Sequence, residues 1–132
     1  MNTAIGKTTT MIVEIAIGDC DPAGVVRLAR YQRWMEAASA HFFMACGIAR
    51  HAVEHGDGAV GTRLLEQHAR FVRSATYGDT LLIRTHIEEG RQREVLQKHV
   101  ITRNDELICE CTETRALRHD RPLADCAGDA AG

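Results

Sequence analysis

The sequence predicts an α+β fold in which one long helix packs on a mostly antiparallel sheet. Three observations predict it. From Arg27 to Cys46 apolar residues recur at three- and four-residue steps, the spacing of one helix face. The later segments alternate with the two-residue period of strands. The order is strand, long helix, then about four consecutive strands, an arrangement that segregates helix from sheet.

Residues 11–17, MIVEIAI, read as the first strand, with Val13, Ile15 and Ile17 on one face and Glu14 on the other. The run from Gly18 to Gly24, GDCDPAG, breaks that pattern as a loop able to lead into a helix. The helix follows. Its stripe is Leu28, Tyr31, Met35, Ala38, Phe42 and Ala45, with Trp34 at the margin and Gly47 as the stop. Phe43 and Met44 fall off the stripe, so the second half is apolar nearly all round, as a helix wrapped by a sheet would be. A short helical piece spans Ala49 to His55 and ends at Gly56.

Leu64 to Val72 is open on periodicity, since its apolar positions 64, 65, 68, 71 and 72 suit a helix while its neighbours favour a strand. Thr80 to Ile87 alternates, with Leu81, Ile83 and Ile87 opposite Arg84, His86 and Glu88. Arg93 to Thr102 and Leu107 to Leu117 are two further strands, joined at Asn104-Asp105, a pair suited to a tight hairpin. The chain thus reads as one domain over residues 1–118, with 119–132 a frayed tail.

Composition narrows the function classes. The 132 residues are 45% hydrophobic and 26% charged, with net charge −2, so no basic field argues for nucleic acid. Five cysteines without a CxxC pair indicate neither a disulfide framework nor a cysteine zinc site. Cys109 and Cys111, two apart in a strand, read as small buried hydrophobes. Neither a signal peptide nor a membrane-spanning run is visible, and the reading is a cytoplasmic protein.

The stretch that carries chemistry is Gly18-Asp-Cys-Asp-Pro-Ala-Gly-Val-Val26, followed by Tyr31-x-x-Trp34. It is a tight turn entering a buried helix, where free N–H groups and the helix dipole suit a developing oxyanion. A carboxylate there can attack a carbonyl or activate water. Equally, Asp19 or Asp21 can serve simply as the helix cap. Both readings stand on spacing alone.

GDCDPAGVV, the following YxxWMEAAS, Val60-Gly-Thr62 and the run FVRSATYGDTLLI from Phe71 to Ile83 together resemble the hotdog-fold acyl-CoA thioesterases of the 4-hydroxybenzoyl-CoA type. The resemblance runs from about Ile15 to Arg103 and implies a curved antiparallel sheet around a central helix. It implies that Asp21 is the catalytic carboxylate, nucleophile or general base, and that the backbone N–H of Leu28 polarises the thioester carbonyl. Thr62 would lend a hydroxyl near the reacting group from the partner subunit, and Arg91 and Arg93 would meet the CoA nucleotide. Sites shared within dimers, and dimers paired into tetramers, complete what it implies. Arg27 and Leu28 stand where that type usually has aromatic residues, so an aroyl and a short acyl group both remain open. A thioester is already activated, and such hydrolysis needs no metal or organic cofactor. A hotdog protein that holds an acyl-CoA or carrier thioester without cleaving it is the alternative.

Other signals are weaker. His51-Ala-Val-Glu-His55 matches the HxxEH zinc pattern, yet Gly56 ends the segment at once, and the pair reads as surface histidines near a helix end rather than metal ligands. Arg63, Arg70, Arg73 and Lys98 alternate with Glu66, Glu88, Glu89 and Glu94, which reads as a solvated strand surface. The cluster Tyr31, Trp34, Phe42 and Phe43 reads as core and subunit seam rather than a stacking box. Cys20, beside Asp21, has no histidine near it in sequence to activate it.

Overall fold

The structure, a computed structural model, describes residues 6–47 and 62–117. Strand β1 (Thr8–Glu14) is followed by a 3-10 turn (Ile17–Asp19) and helix α1 (Leu28–Ala45). Four strands then run in succession: β2 (Thr62–Phe71), β3 (Thr80–Gly90), β4 (Glu94–Arg103) and β5 (Glu106–Leu117). They form one sheet in the order β1-β3-β4-β5-β2, antiparallel at every pairing. The expected α+β order therefore holds. The short helix at 49–55, with its HxxEH pattern, and the tail lie outside the described residues. No helix among the described residues is long and apolar enough to cross a membrane.

The core forms where the helix stripe meets the inward side of the strands. Tyr31, Met35 and Ala38 cluster with Leu81, Ile83, Ile101, Ile108, Cys109 and Cys111, all buried, and Phe42 is buried too. Phe43, off the predicted stripe, is buried as well, and Phe42 and Phe43 meet edge to face at 5.5 Å. Gly47 ends the helix with φ 92°, a conformation that costs a side-chain-bearing residue about 1 kcal/mol or more. Asn104 and Asp105, at φ 50° and 65°, make the left-handed two-residue turn between β4 and β5.

The ambiguous segment is strand β2, and its helix-like spacing has a physical cause. The register with β5 shifts between Leu64 and Glu66, so an extra residue breaks the alternation in mid-strand. On either side of this bulge, Thr62 and Gln67 both face inward, toward Arg115 and Glu113. β2 is also a sheet edge. The contacts of α1 fall most heavily on β1 and β3, at the opposite side of the sheet. Leu64 and Phe71 are consequently 40% and 41% exposed although each pairs with a strand whose inward side chains are buried.

Candidate active site

The loop after β1 closes on itself and on the β2–β3 connection. The N–H of Asp21 donates to the carbonyl of Val25 at 2.8 Å, and that of Gly24 to the carbonyl of Asp21 at 2.9 Å. Gly24 has φ 85°, which explains the glycine. The Val26 N–H donates to Ala75 and the Thr76 hydroxyl to the carbonyl of Gly24, stapling the loop in place. A rigid backbone thus leads into the first turn of α1.

The two aspartates differ sharply in this frame. Asp19 accepts the Ala16 N–H at 2.8 Å and pairs with Arg30 at 3.3 Å, so both its oxygens are engaged. Asp21 accepts the N–H groups of Ala23 and Val25 at 2.9 and 3.0 Å, both on Oδ1. Its Oδ2 has no hydrogen-bond partner among the described residues. Neither aspartate caps α1, whose N-cap is Arg27 without a side-chain cap bond. The capping alternative therefore falls away because the loop turns both carboxylates to other backbone groups.

The first turn of a helix has four N–H groups without intrahelical acceptors. Here Arg27 donates to the carbonyl of Asp19 and Arg30 to that of Arg27, each at 3.0 Å. The N–H groups of Leu28 and Ala29 remain without an acceptor among the described residues. Leu28 is the predicted donor; Ala29 escaped the sequence reading, although counting the four orphan donors would have found it.

Beside this turn lies a cleft of about 310 Å³ lined by Val25, Val26, Leu28, Tyr31, Phe71, Val72, Arg73 and Ser74. Asp21 does not line the cleft itself but accepts the N–H of Val25, which does. The cleft wall is apolar apart from Arg73, Ser74 and the Tyr31 phenol. Burial pushes Tyr31 up to about 12, so it stays a neutral phenol. Its ring meets Trp34 and Phe71 at 5.5 and 5.1 Å. The aromatic cluster is core, as expected, but Tyr31 also forms wall, which the sequence reading did not foresee.

The other predicted residues lie elsewhere. Thr62 is buried at the start of β2, opposite Leu117. β2 spans ten residues, so its two ends are roughly 30 Å apart at ~3.3 Å per residue. Phe71, at the far end, is the one that meets the cleft. Within one chain Thr62 and Asp21 therefore do not meet. Arg91 and Arg93 occupy the turn between β3 and β4, where the Arg93 carbonyl accepts the N–H of Leu117. They thus share the Thr62 end of the sheet. Arg91 is exposed and pairs with Glu89 at 3.0 Å, which raises its pKa through that hydrogen bond and the neighbouring charge.

Of the other basic residues, Arg70 pairs with Glu110, Arg73 with Glu106 and Lys98 with Glu88 and Glu110. Burial pushes the Cys109 and Cys111 thiols up to about 11 and 12, in keeping with their reading as inert core residues.

Comparison with known proteins bears on this architecture. Residues 15–119 match the model of the thioesterase-like superfamily. The chain is 40% identical over 102 residues to 4-hydroxybenzoyl-CoA thioesterase from Pseudomonas sp. (strain CBS-3), covering 75% of this chain and 71% of that one. The crystal structure of that enzyme superimposes with a TM-score of 0.73 at 38% identity, over 83% of each chain. A 4-hydroxybenzoyl-CoA thioesterase with an aspartate replaced by asparagine, complexed with 4-hydroxybenzoyl-CoA, matches with a TM-score of 0.74 at 37% identity, over 83% of this chain and 82% of that one. A gentisyl-coenzyme A thioesterase shares the fold at 24% identity and a TM-score of 0.74, over 82% of this chain and 88% of that one. With the sheet order, the central helix and the sequence match in agreement, this chain belongs to the thioesterase-like superfamily and is a hotdog-fold thioester hydrolase.

Proposed function

We propose that the chain hydrolyses an acyl-CoA thioester, aroyl or short-chain, with Asp21 as the reacting carboxylate. The observation that carries this is the division of labour within Asp21. Oδ1 is fixed by two backbone N–H groups, while Oδ2 has no hydrogen-bond partner among the described residues, in the loop that leads into α1. A carboxylate so held loses little freedom on meeting a substrate. The relatives named for 4-hydroxybenzoyl-CoA supply the substrate class.

The chemistry is compact. The thioester carbonyl oxygen accepts the N–H groups of Leu28 and Ala29, whose position at the positive helix end stabilises the developing oxyanion. Asp21 Oδ2 either attacks the carbonyl carbon or takes a proton from the water that does. In the first route the C–S bond breaks, CoA thiolate leaves, and water opens the resulting mixed anhydride to the acid and Asp21. In the second, hydroxide adds directly and thiolate departs. Label found in Asp21 after a single turnover in ¹⁸O-water would establish the anhydride route with water opening it at the aspartyl carbonyl, whereas opening at the acyl carbonyl puts the label in the released acid, as the second route does.

The site requires a second copy of the chain. The inward side of β2 is left largely uncovered by α1, and among the described residues β2 is an edge strand with unpaired backbone groups. An antiparallel pairing of β2 with its copy, about a two-fold axis near mid-strand, lays Thr62 of the partner subunit beside Phe71 and the cleft. The same operation brings the Arg91 and Arg93 turn to that side, where it can meet the CoA phosphates. The Arg91–Glu89 pair is solvent-exposed and yields readily.

Thiol release from a panel of aroyl- and short-chain acyl-CoAs tests the proposal. Turnover of at least one class is the expected result. Purified protein that retains intact thioester through repeated washing would establish the non-catalytic binding reading instead.

A further inference from the structure

The connection from β2 to β3, residues 72–79, is bonded at several points to the loop that carries Asp21. The Val26 N–H donates to the Ala75 carbonyl at 3.1 Å, and Val25 and Thr76 form an isolated antiparallel bridge. Ahead of the loop, the Ile15 N–H donates to the Asp79 carbonyl at 3.0 Å and the Gly78 N–H to the Ile15 carbonyl at 3.3 Å. The connection ends in a tight turn, Thr76-Tyr-Gly-Asp79. Its closing bond runs from the Asp79 N–H to the Thr76 carbonyl at 3.1 Å, and Gly78 takes the third position with φ 90°. The Thr76 N–H donates back to Asp79 Oδ2 at 3.1 Å. Arg103 Nη1 donates to the same oxygen at 2.9 Å and to the Ser74 carbonyl at 3.1 Å. The Thr76 N–H first, and Arg103 beside it, hold the Asp79 carboxyl below its ordinary value against the effect of burial, so this anchor stays charged.

From the anchored turn the Thr76 hydroxyl donates to the Gly24 carbonyl at 2.7 Å. That carbonyl shares a peptide unit with the Val25 N–H, which donates to Asp21 Oδ1 at 3.0 Å. In a planar trans peptide the C=O and N–H point in opposite directions. The unit is therefore clamped from one side by Thr76 and from the other by the carboxylate. Hydrogen bonds in such a chain also polarise and strengthen one another. One hydroxyl thus governs both the tilt of the peptide plane and the strength of a donor that fixes Asp21.

We propose that Thr76, anchored by Asp79 and Arg103, is a positioning residue for Asp21, acting through the Gly24–Val25 peptide. This rests on the role of Asp21 given under the proposed function. Thr76 does not line the cleft, and its hydroxyl is engaged by Gly24. It acts on the reaction only through the aim of the carboxylate. Aim matters, because misplacing a reacting group by about 1 Å can cost ~10²-fold in rate.

The test compares Thr76→Val, Thr76→Ser and Asp21→Asn in the full chain, read as kcat and KM for thiol release from the best acyl-CoA of the panel, with melting temperatures alongside. Thr76→Val keeps the shape but removes the donor, and should lower kcat about fivefold or more with KM within about twofold. Thr76→Ser keeps the hydroxyl and should stay within about threefold of the wild-type kcat. Wild-type turnover by a folded Asp21→Asn variant would refute the role of Asp21, and this inference with it. With Asp21→Asn slow, a Thr76→Val enzyme of normal kcat would overturn the positioning role alone, whether or not its melting temperature falls. A rise in KM as large as the fall in kcat would mark a shift of the cleft wall at Val25 and Val26, which also overturns it. So would a Thr76→Ser enzyme as slow as Thr76→Val, since the hydroxyl would then not be the working group. Should Thr76→Val not fold, Thr76→Ala removes the same donor with less bulk and decides by the same criteria.

Discussion

Asp21→Asn separates structure from chemistry at the proposed site. Asparagine retains an oxygen for the Ala23 and Val25 N–H groups, so the loop geometry survives. What it gives up is charge assistance in those two bonds, about 1 kcal/mol at this partly exposed position. For a chain of this size that lowers the melting temperature by roughly 3–6 °C. The change at Oδ2 is far larger, because an amide nitrogen there is neither a nucleophile nor a base. Positioned acid–base groups typically contribute about 10²–10⁴-fold, or ~3–5.5 kcal/mol of barrier. Thiol release by Asp21→Asn should therefore fall by that factor, while sedimentation and circular dichroism match the wild type. KM should stay within about twofold, because the Leu28 and Ala29 donors and the arginines are untouched. Turnover within about threefold of wild type, by a correctly folded variant, would refute Asp21 as the reacting group.

Three further outcomes follow from the same geometry. Leu64→Lys places a charge on the uncovered inward side of β2 and should yield a folded monomer with no thiol release; an active monomer would rule out the shared site. Gly24→Ala forces a side chain into φ 85°, with its Cβ in ordinary contact 3.8 Å from Thr76 Oγ1, so it should cost about 1–2 kcal/mol and reduce kcat by displacing Asp21. For Glu113, burial opposes ionisation, but the His99 hydrogen bond and the charges of His99 and Arg115 outweigh it and hold the carboxyl below its ordinary value. Its stabilising contribution is thus complete above the unfolded value of about 4.3 and is lost as pH falls through the folded one. Glu113→Gln should accordingly flatten the acid limb of stability against pH, as followed by thermal melts; an unchanged limb would show that the carboxylate is not what acid attacks.

Much of this molecule is local in origin and was legible as such. The α1 stripe, the alternation of β3, the Asn104-Asp105 turn and Gly47 as a stop all follow from the conformational preferences of a few adjacent residues. β2 was not legible, because a bulge shifts the phase of the alternation and only pairing with β5 reveals it. Whether Asp19 or Asp21 caps the helix was undecidable on spacing and became plain once backbone donors were assigned to individual oxygens: neither does. Resemblance supplied the candidate roles of Leu28, Thr62, Arg91 and Arg93; the residues themselves carried no local mark of them.

By itself, the sequence determined the element order, the helix that the sheet wraps and the loop that carries the chemistry, since periodicity and turn chemistry act over a few residues. Tertiary structure decided which Asp21 oxygen is left without a partner, that Thr62 lies at the end of β2 away from the cleft, and that Arg115 reaches Thr62 and Glu36 across 53 and 79 positions of chain. Contacts of that span depend on strand register and helix placement, which no local preference encodes.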